Sequence, residues 1–442
     1  MVDPPSPPPE QRSFEQSMQL LHDAIALIPN ATNTASKGPT NWVRGAAPSH
    51  MERANGCRCW DVDGNEYIDY PMGRGPVVLG HDYPPVTEAV VEQLRNGVAF
   101  STPHRLQIDV AEAVTDLVPC AELVRFAKNG NDVTALAAKL ARAHTGRSVI
   151  ATHGYHGWPD VWLADSATDA GIPPGHDAHT ESFGYNDLDR LEQIFEEHPD
   201  EVAAIVMTPA DTTPPEDGFL DRVKALAREE GALLVFDEII TGFRFAPGGA
   251  QEYFDVVPDL ACFAKGIANG MPLSCLAGRA DVMRTIEDDD FVFSLTYGGE
   301  AAALAAANAS LEIHDTEPVT EHLFARGETL IEEYNRLSTE HGLAELTNCS
   351  GFGPRSSVSF TGTDQVSGRL IESLFQQECI ARGVLYAGVQ FTSYSHTAAD
   401  IEYTLDVYDE ALATVAAAIE AGDVRERLAG HPIGASLPHR IG

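Results

Sequence analysis

The sequence predicts an α/β protein whose largest part surrounds a mostly parallel sheet. Between residues 84 and 313, short apolar runs alternate with helical stretches, a pattern typical of parallel strands joined by helices. Charged or glycine-containing segments follow several of these runs, at the carboxyl ends of strands, where α/β sheets bind ligands. We therefore expect a ligand site at the carboxyl edge of the sheet.

The individual elements follow from local patterns. Helical spacing covers residues 13–28, and residues 57–70 predict a hairpin that turns at Asp63-Gly64-Asn65. The predicted strands of the large sheet are 124–127, 148–151, 203–207, 232–236 and 260–263. Beyond Ile313 we expect a helix to Leu337, a strand over 356–360, and helices near 367–381 and 400–421.

These elements divide the chain into four predicted segments. They are a disordered proline-rich lead-in at 1–12, an N-terminal segment with small-domain strands at 13–83, a large domain at 84–313, and a small α+β domain at 314–442. A chain of 442 residues is long enough for two or three such domains at roughly 100–200 residues each.

Composition and charge exclude several classes of protein. The chain has 29 Lys+Arg against 66 Asp+Glu, a net charge of −37, so nucleic acid is not expected as a partner. Apolar stretches are shorter than the roughly 18–20 residues of a membrane span, and the proline-rich start lacks a secretory pattern. We expect a cytoplasmic protein that does not bind membranes. Its acidic residues are spread along the chain, which is typical of proteins from halophilic hosts; the alternative is an acidic protein without adaptation to salt.

The cysteine pattern predicts neither disulfides nor a metal site. Seven cysteines are scattered along the chain without a C-x-x-C pair, so reduced, mostly buried thiols are expected. Cys57-Arg58-Cys59 would place two sulfurs on one face of a strand, but no second cluster completes four ligands.

A polar loop opens the alanine-rich helix predicted over 133–143. The strand that ends at Ala127 leads through Lys128 into Asn129-Gly130-Asn131-Asp132. Free backbone N–H groups and the positive end of a helix dipole would suit a phosphate there. The alternative is that Asn131 or Asp132 is only an N-cap.

Two other strand ends carry a carboxylate and a lysine. The run 232–236 leads to Asp237, and the run 260–263 leads to Lys265 beside small, turn-forming residues. A nucleotide hydrolase with a Walker B strand is disfavoured because the phosphate-loop motif is missing. Among the five lysines, Lys265 alone lies at a strand end beside flexible backbone, where burial favours the nucleophilic free amine.

Together, these three features match what pyridoxal 5′-phosphate (PLP) requires. The lysine would form the Schiff base, the acid would keep the pyridine nitrogen protonated, and the helix start would bind the phosphate. Tyr155, just past the run 148–151, could cover one face of the ring, or be an ordinary interface or core aromatic.

Longer motifs resemble one known family, the class III, fold-type-I PLP-dependent aminotransferases, and in particular the branch similar to glutamate-1-semialdehyde 2,1-aminomutase. The most specific stretches are FDEIITGFR at 236–244 and FAKGIANGMPL at 263–273. The similarity runs from about Asn41 to Ile419. It implies a large domain with a mostly parallel central sheet, a small α+β domain built from both chain ends, and PLP as the cofactor.

The resemblance also implies roles for individual residues around the cofactor ring. Lys265 would hold PLP as a Schiff base, and Asp237 would pair with the pyridine nitrogen. Ile239 and Tyr155 would pack on opposite faces of the ring.

For the phosphate group, the resemblance points to residues of two subunits. Gly130 and Asn131 would bind it from one chain. Thr296 falls where the family donates a hydroxyl to the phosphate of the neighbouring subunit, which implies a homodimer with shared active sites. An ordinary turn hydroxyl is the alternative for Thr296.

The sequence departs from the family pattern at positions that bear on the substrate. An amide, that of Asn131, replaces one phosphate-binding hydroxyl, and Thr208 precedes Pro209 where the family commonly has a glutamate. For a substrate carboxylate the candidates are Arg44 and Arg74, whose planar guanidinium groups suit bidentate binding; surface roles are the alternative.

We therefore expect an aminotransferase that moves an amino group from a small-molecule donor to a carbonyl acceptor through Lys265. The segment 296–300 is closer to the branch's aminotransferases than to the aminomutase. Intramolecular transfer of the aminomutase type and a PLP-binding protein without activity are the two alternatives. The acceptor could be a keto acid, a semialdehyde, an amino-sugar precursor or a simple ketone.

Overall fold

The computed structural model describes residues 12–164 and 166–437, so the predicted lead-in lies, except for Arg12, outside the described residues. The chain divides into two compact units. One is Pro84–Thr320, called here the central unit, and the other, the flanking unit, comprises the residues up to Tyr83 and from Glu321 onward. The flanking unit is thus assembled from two distant parts of the chain.

The helices and strands of the described residues are numbered in chain order. The strands are β1 (Met51–Asn55), β2 (Arg58–Asp61), β3 (Glu66–Asp69), β4 (Leu123–Ala127), β5 (Val149–His153), β6 (Thr180–Ser182), β7 (Val202–Met207), β8 (Leu233–Asp237), β9 (Leu260–Phe263), β10 (Ser274–Gly278), β11 (Thr347–Phe352), β12 (Arg355–Phe360), β13 (Val384–Leu385) and β14 (Val389–Phe391). The α-helices are α1 (Glu15–Leu27), α2 (Pro84–Asn96), α3 (Leu106–Leu117), α4 (Gly130–Thr145), α5 (Asp160–Leu163), α6 (Leu188–Glu197), α7 (Phe219–Glu230), α8 (Ala250–Tyr253), α9 (Ala280–Met283), α10 (Ala301–Thr316), α11 (Val319–Glu340), α12 (Gly368–Ala381) and α13 (Ala398–Ala421).

The central unit is built on a sheet with the strand order β4-β10-β9-β8-β7-β5-β6 over the described residues. Strands β6, β5, β7, β8 and β9 are parallel, which confirms the predicted mostly parallel sheet. Strand β10, which the sequence did not predict, runs antiparallel to both of its neighbours, β4 and β9. Strand β4 therefore points the same way as β9.

The apolar runs that form β5, β7, β8 and β9 are buried on both faces of the sheet. Along β8, Leu233 and Val235 pack in the cluster that contains α4, while Leu234 and Phe236 pack in the cluster that contains α6 and α7. A strand buried on both faces needs a continuous apolar run. Since side chains alternate between faces, Asp237 follows Val235 on the α4 side. This alternation sets the position of the candidate site.

The flanking unit contains two smaller sheets, β1-β2-β3-β13 and β11-β12-β14, over its described residues. The predicted hairpin is confirmed, since β2 and β3 pair antiparallel with Trp60 opposite Glu66. Strand β13 joins this sheet from the later part of the chain and pairs Val384 with Ile68 in parallel. A core cluster rich in tyrosine, including Tyr334 and Tyr408, lies within this unit.

One predicted helix is divided in the structure. The helix expected from Ile313 to Leu337 is instead the end of α10, at Thr316, and most of α11, which begins at Val319. Pro318 lies between them, and proline lacks the N–H that a continuous helix would use.

Two predictions from composition have structural outcomes. All seven cysteines are free and buried, as predicted. Among the described helices, none combines the length and hydropathy that crossing a bilayer requires.

Candidate active site

The carboxyl edge of the central sheet holds the predicted carboxylate and lysine. Asp237 ends β8 and pairs in register with Cys262 of β9, so Lys265 follows three residues beyond that pair. The loop after β5, which contains residues 154–157, begins at the same edge because β5 is parallel to β7 and β7 to β8. This is the edge where α/β sheets bind their ligands.

Asp237 is held at both of its carboxylate oxygens. The backbone N–H of Ile239 donates to Oδ1 at 3.0 Å, and Nδ1 of His156 lies 2.6 Å from Oδ2. Asp237 is only 4% exposed. A buried carboxylate with donors on both oxygens is a fixed acceptor, which suits a protonated ring nitrogen.

Lys265 begins a sharp turn directly after β9. Its φ of +42° lies in the left-handed region, which is unusual for a residue other than glycine. A short 3₁₀ turn follows, in which the N–H of Ile267 donates to the carbonyl of Ala264 at 3.1 Å. The hydroxyl of Ser310, on α10, donates to the carbonyl of Gly266 at 3.3 Å. The half-buried lysine therefore lies at the start of a hydrogen-bonded turn.

Close backbone approach brings the start of α4 to the same edge. A Cβ on Gly130 would lie 2.5 Å from Cδ1 of Ile239, so a larger residue would not fit without a shift. A Cβ on Gly157 would likewise lie 2.5 Å from Cβ of Asn131, and Gly157 has a φ of +117°. The structure thus places Gly130 and Asn131 against the segments that follow β8 and β5.

The N-cap of α4 differs from both residues that the sequence offered. The cap is Asn129, and Asp132 lies at the third helical position. The carboxylate of Asp132 accepts from the backbone N–H groups of Asn129 at 2.7 Å and Lys128 at 3.2 Å. Asn131 is therefore not the cap; its side-chain amide donates to Asp132 at 3.2 Å. The residue that caps α4, Asn129, is therefore different from Asn131, the residue predicted to bind the phosphate.

Two predicted residues of the central unit stand at its surface. Tyr155 is 77% exposed, and Thr296 is exposed in the loop before α10. That loop is tied to the start of α4 through Lys128, whose Nζ lies 2.8 Å from Oε1 of Glu300. Glu300 also caps α10 by accepting from the N–H of Ala302 at 2.8 Å.

Arg44 and Arg74 belong to the flanking unit. Nη2 of Arg44 donates to the carbonyl of Ser436 at 2.9 Å, and burial lowers the pKa of this mostly buried arginine. Nη1 of Arg74 donates to the carbonyl of Ala387 at 3.3 Å. Burial lowers the pKa of Arg74 as well, while nearby Asp69 raises it.

Sequence reasoning missed two buried residues beside the site. The sequence analysis assigned no role to His156, although a histidine in a glycine-containing segment after a predicted strand, here Gly154-Tyr155-His156-Gly157, is a detectable signal. Glu238 is fully buried, and burial raises its pKa. It accepts from the hydroxyl of Thr241 and from the backbone N–H groups of Ala250 and Gln251, the latter two at 2.8 and 2.9 Å. Glu238 therefore fixes the segment that begins α8.

Comparison with known sequences gives a consistent family. The family model described as Aminotransferase class-III matches residues 43–420. The 3-aminobutyryl-CoA aminotransferase of Cloacimonas acidaminovorans is 32% identical, over 92% of this chain and 99% of that protein. The glutamate-1-semialdehyde 2,1-aminomutase of Syntrophobacter fumaroxidans is also 32% identical, over 91% and 98%.

Solved structures of similar proteins have the same fold. The FumI protein of Sphingopyxis sp. MTA144, solved with PLP, superposes with a TM-score of 0.85 at 29% identity, covering 95% of this chain and 99% of that one. An omega-transaminase from Sphaerobacter thermophilus gives a TM-score of 0.82 at 25% identity, with coverage of 92% and 98%.

Proposed function

The chain belongs to the class-III aminotransferase family, and from that membership we propose how its own residues carry out amino transfer. The protein is a fold-type-I, PLP-dependent aminotransferase. When bound, PLP supplies an aldehyde that condenses with amines and a ring that stabilises the electron pair left at the substrate carbon.

The residues at the sheet edge fit this cofactor. Gly130 leaves a space beside Ile239 that a Cβ would fill, and the first turn of α4 offers backbone N–H groups to a phosphate. We assign Gly130 and Asn131 to the phosphate and Asp237 to the ring nitrogen. Ile239 would lie on one face of the ring and Tyr155 on the other.

Lys265 is the proposed catalytic residue. Its Nζ would bind the aldehyde carbon of PLP and, once displaced by the donor amine, would carry the proton between the substrate carbon and the cofactor carbon. Asp237, held by two donors, would keep the ring nitrogen protonated throughout. The single observation that carries the proposal is this fixed, buried carboxylate on the strand beside the one that leads to Lys265.

We also propose a homodimer with shared active sites. Tyr155 and Thr296 are exposed although both are assigned to the cofactor, which suggests that a second subunit completes the site. The central unit exposes further large apolar side chains, namely Phe100, Ile108, Trp158, Val292 and Tyr297. Exposed apolar surface of this kind is typical of subunit interfaces. Thr296 would donate its hydroxyl to the phosphate held by the partner subunit.

For the substrate we propose a small amino donor and a carbonyl acceptor, with Arg44 and Arg74 as candidates for binding a carboxylate. The guanidinium geometry suits bidentate contact with a carboxylate. At the position of Thr208 the family commonly has a glutamate. Because this chain lacks that carboxylate, we propose a substrate other than the acidic ones that the family usually handles.

The cellular setting is also a proposal. Buried, free thiols are typical of proteins kept in a reducing compartment, which supports a cytoplasmic location. A net charge of −37 argues against contact with nucleic acid or anionic membranes.

The first experiment is an absorption spectrum of the purified protein before and after borohydride. We expect a visible band from bound PLP, fixed by reduction to the peptide that contains Lys265 and located there by mass spectrometry. Reduction onto a different lysine would refute the assignment, and a protein that stays colourless with added PLP would refute the proposed function.

A second experiment separates intermolecular transfer from the aminomutase reaction. Single amines are added to the PLP form, and the loss of the visible band identifies the donor; acceptors are then supplied separately. Amino transfer between two different molecules supports the proposal. Isomerisation of glutamate-1-semialdehyde without a separate donor would instead assign the chain the activity of its aminomutase relative.

A further inference from the structure

We propose that the central unit binds a small phosphate ester in a basic cavity at the amino edge of its sheet, opposite to the edge that holds Asp237 and Lys265. The cavity has a volume of about 480 Å³, which is within the usual range of small-molecule sites. None of the residues assigned to PLP or to the substrate lines it. The inference therefore goes beyond the proposed function and does not depend on it.

The cavity lies at the amino ends of the parallel strands. Leu233 and Leu234, which line it, begin β8, whereas Asp237 ends that strand. Arg147 and Asp259, also in the lining, shortly precede β5 and β9. At the rise of an extended chain, the distance along β8 from Leu233 to Asp237 is roughly 13 Å. The cavity is therefore separate from the cofactor site.

The cavity is basic although the chain as a whole is strongly acidic. The net charge is −37, yet four of the 29 lysines and arginines line this one cavity, against a single carboxylate. The lining cations are Arg147, Lys224, Arg228 and Arg279, the carboxylate is Asp259, and His144 adds a titratable ring. Clustered positive charge in a cleft raises the local concentration of anions.

Asp259 does not neutralise the cavity, because both of its oxygens are already in use. Oδ1 lies 2.5 Å from Nη1 of Arg279, and Oδ2 accepts from the backbone N–H of Leu234 at 2.8 Å. Arg279 is paired further with Asp281, whose Oδ2 lies 2.5 Å from Nη2. The positive charge available to a ligand is therefore that of the other three cations.

Arg147 is held in place mainly by backbone carbonyls. Nη1 donates to the carbonyl of Val202 at 3.0 Å and to that of Glu230 at 2.7 Å. Nη2 is 3.7 Å from Oδ1 of Asp200, a long contact to a side chain that is 96% exposed, whereas the arginine is only 20% exposed. Carbonyls fix a guanidinium without cancelling its charge. Arg147 is thus an oriented cation, which suits a phosphate.

The wall formed by α7 carries two like charges side by side. Lys224 and Arg228 are exposed and four residues apart, so they lie on one face of the helix. Neither forms an ion pair with another described residue. Like charges at this spacing destabilise a helix, and the helix dipole favours a cation only in the last turn, which includes Arg228 but not Lys224. A bound anion accounts for this pair, and helix stability does not.

The chemistry of the lining favours a phosphate ester among small anions. A phosphate monoester carries close to two negative charges at neutral pH, and its oxygens accept several charge-assisted hydrogen bonds at once. Ala232, Leu233 and Val257 give the cavity an apolar side, which suits the organic part of an ester. Bound there, the ester would connect the segment before β5 with α7.

Isothermal titration calorimetry of the PLP-loaded protein with phenyl phosphate tests the site. Bound PLP occupies the phosphate site at the carboxyl edge, and its visible band is recorded during the titration. At constant ionic strength we expect one saturable site per chain and an unchanged band. Absence of saturable binding, or binding that removes the visible band in proportion, would overturn the inference.

Charge reversal at a single arginine locates the site. Arg228→Glu, at an exposed residue, should weaken the binding of phenyl phosphate by roughly 10-fold or more, as expected when a charge-assisted hydrogen bond is lost. Arg425→Glu is the matched control, because it changes the net charge equally at an exposed arginine of the flanking unit. Equal affinities of the two variants, whether both reduced or both unchanged, would contradict the proposed site.

Thermal unfolding of the same proteins provides a second measurement. A ligand that binds only the folded state raises Tm, so phenyl phosphate should raise it more than KCl of the same ionic strength does. Arg228→Glu should lose this additional rise, and Arg425→Glu should keep it. Equal Tm values of the wild type in phenyl phosphate and in KCl would show that the anion acts by screening alone, and the inference would be wrong.

Discussion

The left-handed backbone of Lys265, with a φ of +42°, costs of order 1–3 kcal/mol in a residue with a Cβ. Such strain persists where the surrounding structure imposes it, as the turn that follows β9 does here. It sets the direction in which the Cα–Cβ bond of the lysine leaves the backbone. The strain is thus consistent with a residue that must meet one particular carbon atom.

Replacing Lys265 by alanine should abolish turnover. The variant loses both the covalent contact with PLP and the group that moves the proton, and the proton-transfer role alone is worth roughly 10²–10⁴-fold in rate. Steady-state assays with the identified donor and acceptor provide the measurement. Lys224→Ala, at an exposed lysine on α7, is the control and should be active. Normal activity of Lys265→Ala would contradict the mechanism.

Two buried histidines predict how stability depends on pH. Burial lowers the pKa of His314 to about 3 and of His396 to about 4, both from 6.5. The folded state therefore resists protonation that the unfolded chain accepts below pH 6.5. Stability should be full above pH 6.5 and fall by up to about 1.4 kcal/mol per pH unit per histidine on acidification, until the folded pKa is reached.

Urea unfolding between pH 7 and 5 tests this prediction. His314→Gln should show a shallower decline than wild type, because one protonation that favours the unfolded chain is removed. His22→Gln, at a histidine whose side chain is 82% exposed, should decline like wild type. Identical slopes for all three proteins would show that His314 does not control the pH dependence.

Sequence reasoning predicts the positions of Asp237 and Lys265 because each directly follows an apolar run that forms a buried strand. It does not predict the contact between His156 and Asp237. That contact depends on which strands are neighbours and on which face each side chain lies, and a one-dimensional pattern contains neither.

Among the secondary-structure elements, α4 begins in close contact with the segment that follows β8. The absence of a side chain at Gly130 lets the helix approach Ile239, which follows β8. Apolar runs buried on both faces made β5, β7, β8 and β9 predictable. Strand β10, Ser274–Gly278, was not predicted because the prediction relied on apolar runs that alternate with helices. No helix is predicted between the turn at Lys265 and β10.

Gly130→Ala should weaken PLP binding and lower the stability of the protein. The new Cβ would lie 2.5 Å from Cδ1 of Ile239, and forcing extra volume into such a contact typically costs about 1–3 kcal/mol. Thermal unfolding of the apoprotein and PLP titration are the two measurements. Adding Ile239→Val, which removes Cδ1, should recover part of both losses; no recovery would mean that Gly130 matters for another reason.

At the scale of the whole molecule, the net charge of −37 predicts that salt stabilises the protein. Repulsion between surface carboxylates is screened as the Debye length falls from about 10 Å at 0.1 M to 3 Å at 1 M. The melting temperature should therefore rise with KCl and level off near 1 M. A flat or falling profile would favour an ordinary acidic protein over a halophilic one.

The proposed sharing of active sites between two subunits predicts complementation between two inactive variants. In a mixed dimer of Lys265→Ala and Thr296→Ala subunits, one site would carry both defects and the other would have both residues intact. Co-expression should therefore restore activity that neither variant shows alone. If Thr296 served the site of its own subunit, each site would keep one defect and activity would not recover.

The discontinuous flanking unit has a consequence for the order of events on the ribosome. Ile68 of β3 finds its parallel partner, Val384 of β13, only after the whole central unit has been translated. At about 5–20 residues per second, that delay lasts roughly 15–60 s. The hairpin β2-β3 thus emerges early but has one edge unpaired while Pro84–Thr320 can already fold. Among the first described residues to be synthesised, those of β3 are thus among the last to acquire their final hydrogen bonds, and their strand edge is exposed during this interval.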